Sequence, residues 1–75
     1  MKLKDLLKVL GYPKIVINEL YENKGAIVSD TIWNGELLEN LDFIEESFGE
    51  LTVLNVTPYN KEGEAILLIL VTEVI

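Results

Sequence analysis

Leu3, Leu6, Leu7 and Leu10 recur at spacings of three, one and three, which sets them on one face of a helix with Lys4, Asp5 and Lys8 outside it. Gly11 tolerates the left-handed conformation of a helix terminus, and Pro13 blocks continuation. The period then shortens. Ile15, Val16 and Ile17 predict a strand over Lys14 to Leu20, Asn23-Lys24-Gly25 supplies a turn, and Ala26 to Trp33 predicts the returning strand of a hairpin. In that second strand Ala26, Val28, Asp30 and Ile32 alternate with Ile27, Ser29, Thr31 and Trp33, and neither set is wholly polar.

Helical spacing returns at Leu37, Leu38, Leu41 and Ile44, with Phe48 extending the stripe. Asn34 is the expected cap, Glu36 suits the positive end of the helix, and Gly49 is the expected stop. Glu50 to Thr57, rich in Thr and Val, predicts a third strand, and Pro58 near its end marks an edge or a bulge. Asn60-Lys61-Glu62-Gly63 then turns the chain into a fourth strand over Glu64 to Ile75. Its core, Ala65 to Val71, is apolar without alternation, which fits a central strand covered on both faces, by helices on one and by a partner subunit on the other.

The order α-β-β-α-β-β predicts one α+β domain over residues 1–75. Two β-hairpins form an antiparallel sheet, open or curled into a half-barrel, with the helices packed on one face. Each half is a helix followed by a hairpin, although no repeat is visible in the residues themselves.

Composition narrows the function. The chain has no cysteine and no histidine, which removes disulfides, thiolate metal sites, the cysteine nucleophile and the usual general base near neutral pH. No enzyme, metal or cofactor is expected. Thirteen acidic residues against six lysines give a net charge of −7, so direct binding to nucleic acid is not expected, whereas a basic protein is attracted. A chain this short buries only about 60% of its unfolded surface. With 49% hydrophobic residues, the remaining route to stability is packing plus self-association, and a homo-oligomer, a dimer first, is expected. Met1 to Leu10 is too interrupted by charge for a signal peptide, and Ala65 to Val71 is far shorter than the roughly 20 residues of a membrane helix, so a cytoplasmic location without membrane contact is expected.

Two sets of residues stand out. Glu36, Glu39, Asp42, Glu45, Glu46 and Glu50 place six carboxylates around the second helix with no lysine between them, which predicts either a solubilising face or a docking surface for a basic patch on another protein. Tyr12, Tyr21, Trp33 and Tyr59 fall in or beside connections, with Lys14, Lys24 and Lys61 next to turns. Tyr12, Trp33, Tyr59, Lys14 and Lys61 are therefore candidates to stack and hold a nucleotide between subunits. The competing role for Trp33 is a core or interface residue on the Ile27, Ser29, Thr31 face. Glu45 with Glu46 and Glu62 with Glu64 read as solvated charge rather than as an acid and base, and Asp30, Asn34 and Glu36 do not have calcium-loop spacing.

The opening Met-Lys-Leu-Lys-Asp-Leu-Leu-Lys-Val-Leu, the central Asn-Gly-Glu-Leu-Leu-Glu-Asn-Leu and the later Val-Thr-Pro-Tyr before an apolar strand resemble short accessory proteins of phages and mobile elements in low-GC Gram-positive bacteria. The resemblance is one of layout. It implies an anti-defence protein that inhibits a host factor by binding it in the host cytoplasm, and it assigns no functional residue. The expected function is thus a non-enzymatic inhibitor that engages a host protein, itself basic or nucleic-acid-binding, through the acidic surface. The alternatives are an oligomeric sponge for a nucleotide or cyclic-nucleotide signal and a structural subunit of a phage assembly.

Overall fold

The computed structural model describes residues 1–73; Val74 and Ile75, which the expected fourth strand includes, lie outside the described residues. The chain forms helix α1 (Leu3–Leu7), strands β1 (Lys14–Asn23) and β2 (Ala26–Glu36), a single 3-10 turn (Leu38–Asn40), helix α2 (Leu41–Phe48), and strands β3 (Thr52–Lys61) and β4 (Glu64–Thr72). Four strands make one open sheet in the order β2-β1-β4-β3. The α+β class and the α-β-β-α-β-β order stand as expected.

Both hairpins turn on two residues. Lys24 and Gly25 have φ of 51° and 81°, and Glu62 and Gly63 have 52° and 84°. Paired left-handed residues give a turn whose twist matches that of the flanking strands, and glycine takes the second place at no steric cost. The strands therefore run longer than the β-branched clusters alone indicate: β1 reaches Asn23 and β3 reaches Lys61.

The sheet is mixed, not antiparallel. Within each hairpin the strands are antiparallel, but β1 and β4 pair in parallel, with Ile15 beside Leu67 and Ile17 beside Ile69. The cause is the connection through α2, which starts beside the end of β2 and delivers the chain to the opposite end of the sheet. A crossover of this kind preserves strand direction where a hairpin reverses it. So β3 runs as β2 does, and β4 as β1. The most apolar strands, β1 and β4, take the centre, and Pro58 lies in edge strand β3, where a missing N–H costs least.

Leu3 and Leu7 of α1, Leu37, and Ile44 of α2 form one buried cluster with Ile15 and Ile17 of β1 and Leu67, Ile69 and Val71 of β4. All five strand residues are odd-numbered and so project to the same side of the pleat. Backbone bonds tie the connections to this frame: the Leu37 N–H donates to the Pro13 carbonyl, Leu3 to Leu51, Lys4 to Gly49, and Val53 to Met1.

Local details depart from expectation at the second helix. Asn34 and Glu36 belong to β2, so neither caps a helix; Asn40 precedes α2, and its Nδ2 donates to the Glu36 carbonyl at 2.8 Å. Leu37, Leu41, Ile44 and Phe48 face the core, but Leu38 is 82% exposed. Leu38 opens the 3-10 turn that precedes α2, so it lies outside the regular helix whose spacing defines the stripe. The first helix is also shorter than its leucine pattern, ending at Leu7, with Leu10 packed on the core from the loop.

Candidate functional site

Three surfaces carry the residues singled out by the sequence. The first surrounds α2. Asp42 and Glu46 are exposed, Glu45 is half-buried, and Glu39 is exposed on the preceding 3-10 turn. Glu36 stands apart from this group, at the end of β2 and paired with Lys14 across the strands, because the chain is still extended there. Glu50 is separated chemically: Lys2 and Lys4 place their ammonium groups 2.5 and 2.7 Å from its two carboxylate oxygens. Hydrogen bonds from Lys2 and Lys4 together with their charge hold the Glu50 carboxyl down at about 2. The acidic run of the sequence thus divides: Glu39, Asp42 and Glu46 are exposed, while the charge of half-buried Glu45 joins that of Glu50 in acting on Lys4.

Two large apolar side chains sit along the same stretch. Phe43 is 54% exposed and Leu38 more so, and the Phe43 ring meets the edge of Phe48 at a centroid distance of 6.2 Å and an interplanar angle of 87°. Edge-to-face contact with a core-packed ring fixes the orientation of Phe43 at the surface. Sequence reasoning put Leu38 in the core and passed over Phe43. The available signal was spacing, since Phe43 falls off the Leu41, Ile44, Phe48 stripe.

The second surface is a concavity of about 480 Å³ at the end of the sheet where β1 and β4 begin. Lys14, Tyr59 and Lys61 line it, with Thr31, Asn34 and Glu64. Three of the five proposed ligand residues therefore converge there, but Tyr12 and Trp33 do not, being packed against the buried cluster. Trp33 leaves the Ile27, Ser29, Thr31 face because Ile32 is the extra residue of a β-bulge between the Ile17–Trp33 and Asn18–Thr31 pairs, and one extra residue reverses the side of everything beyond it. The core role is the one its position matches.

Electrostatics argue against a phosphate in the concavity. Lys14 lies 2.8 Å from Glu64, and the hydrogen bond and charge of that carboxylate, with Glu36 adding to the effect, raise its pKa. Glu62 lines the wall beside Lys61. Two lysines facing two carboxylates leave no positive excess to offset the desolvation of a phosphate.

The third surface was not anticipated in detail. Even-numbered residues of the central strands, half-buried Val16, Leu20, Leu68 and Leu70 and buried Ile66, stand outside the buried cluster on the other side of the sheet, and Val16 and Ile66 join this surface to the concavity that they also line. Asn18 joins them and accepts a 2.7 Å hydrogen bond from the Thr31 hydroxyl. Among the described residues no three carboxylates converge in a way that would hold a metal ion, and no helix is long and apolar enough to cross a membrane. The chain matches no protein family, no curated protein and no solved structure.

Proposed function

We propose that this chain is a non-enzymatic binding protein that captures a basic partner protein on the outward face of α2. The observation that carries this reading is the presence of two exposed apolar side chains, Leu38 and Phe43, on the same stretch as the exposed carboxylates of Glu39, Asp42 and Glu46. Interfaces draw most of their affinity from a few large anchors, and charged groups around them set orientation and association rate. A face meant only for solubility has no use for an exposed phenylalanine held by a second ring. The absence of imidazole and thiol from the sequence supports a role in binding over one in chemistry.

The reading takes both helices as one layer over the odd-numbered side of the sheet. The short axis of the molecule, 17 Å, supports this, since layers about 10 Å apart fit twice in such a thickness and not three times. The outward side of α2 is then turned to solvent. The layout shared with phage accessory proteins supplies the partner class, a host protein in the bacterial cytoplasm whose basic surface is blocked by capture.

The test is retention of basic proteins from a lysate of a low-GC Gram-positive host by the immobilised chain. Retention should be lost with the triple variant Glu39→Lys, Asp42→Lys, Glu46→Lys and weakened with Phe43→Ala. Undiminished retention by the triple variant overturns the reading.

A further inference from the structure

We infer that the even-numbered face of the sheet is covered by the same face of a second copy, sheet against sheet. The inference shares the single-layer arrangement of the helices with the reading above but concerns the opposite side of the molecule. Along the two central strands this face presents Val16, Leu20, Leu68 and Leu70, each half-buried, around a buried Ile66, and Ile27 of β2 adds a side chain that is 66% exposed. An apolar band of this length on the face of a sheet ordinarily has a layer over it.

Charge selects the occupant. The polar residues beside the band are neutral: Asn18, Ser29, Thr31, Asn34, Asn55 and Thr57. Charged groups are confined to the ends, Glu22 at one and Lys14, Glu36, Lys61 and Glu64 at the other, where both signs occur. For a chain of net charge −7, two copies repel wherever carboxylates meet carboxylates. The middle of this face is where two copies meet without that opposition. A basic partner, in contrast, finds nothing there to pair with.

The size of the face also fits. Four strands of about ten residues cover roughly 600 Å² in projection, from strand spacings of about 4.8 Å and a rise of about 3.3 Å per residue. Side-chain relief raises the accessible area toward the roughly 800 Å² per partner of a stable interface. A two-fold axis lying midway between the two sheets and parallel to them makes the contact self-complementary and closed, as dimers require, and gives the aligned sandwich in which two twisted sheets pack.

The experiment is sedimentation equilibrium on the full chain from about 1 to 100 μM, the range in which a standard interface of modest affinity assembles. The expected mass is twice 8.5 kDa. Thr57→Glu sits on an exposed edge-strand position, so it leaves the fold intact while setting a carboxylate into the contact; it should raise the dimer dissociation constant by about tenfold or more. Leu68→Lys should do the same, with circular dichroism reporting the fold of each variant. Asp42→Lys on α2 should leave the dimer unchanged. A monomeric wild type throughout the range overturns the inference. So does a dimer that withstands Thr57→Glu but dissociates with Ser29→Pro, because that pattern assigns the contact to the β2 edge instead of the face.

Discussion

The indole of Trp33 lies over Gly35, two residues further along β2, so closely that a Cβ on the glycine would stand 3.2 Å from the ring. Gly35 also has φ of 149°, a conformation that L side chains rarely adopt. Gly35→Ala should therefore destabilise the domain by about 1–3 kcal/mol, from backbone strain and from displacement of the ring. Trp33 is the sole tryptophan, so thermal unfolding followed by its fluorescence reports both the stability loss and a red shift of the native emission.

Ile17 and Ile69 are partners in the parallel pair and are both fully buried. Replacing either by alanine should cost about 2–5 kcal/mol, the range for deleting a buried aliphatic side chain from a packed core. Denaturant titration will show whether the domain survives that loss, since small domains hold only about 5–15 kcal/mol in total. Ile17→Val should cost about 1 kcal/mol and leave the domain folded.

Glu50 makes stability depend on pH in a defined window. Its folded pKa of about 2 lies below the ordinary 4.5, so its contribution is fully present above pH 4.5 and is lost as pH falls toward 2. Glu50→Gln should flatten the melting temperature over that interval relative to the wild type while leaving the slope above it unchanged. An identical acid limb in both proteins excludes the role given to the Lys2–Glu50–Lys4 cluster.

The two hairpin turns each place a residue with a side chain in the left-handed region at their first position, Lys24 and Glu62. Asparagine tolerates that conformation better than either. Lys24→Asn and Glu62→Asn should each stabilise the domain by a few tenths of a kcal/mol up to about 1, and Gly63→Ala should destabilise it by about 1–2. Chemical denaturation midpoints measure all three.

Elements that follow from a local pattern were legible in the sequence: the leucine face of α1, the β-branched start of β1, the apolar run of β4, and the turns before Gly25 and Gly63. The elements that escaped depend on relations between distant segments. No local signal places β1 beside β4, so the parallel pairing was hidden until the direction of the α2 crossover was known. The bulge at Ile32 moved Trp33 from one face to the other by a single residue, a change that no alternation count anticipates. At the candidate site, the sequence marked Glu39, Asp42, Glu45 and Glu46 and the trio Lys14, Tyr59 and Lys61, but not the two salt bridges that take Glu50 out of the first set or the carboxylates that neutralise the second.

The parallel seam has a consequence for how the chain reaches this state. Each hairpin closes over a two-residue turn and needs only its own neighbours, an event of microseconds. The seam instead joins Ile15 to Leu67, 52 positions apart, and it is there that the strand residues of both halves enter one buried cluster. The search for that distant pairing, not the making of hairpins, sets the pace of folding. Either half alone lacks that shared interior, and the domain is complete only when the two strands find each other.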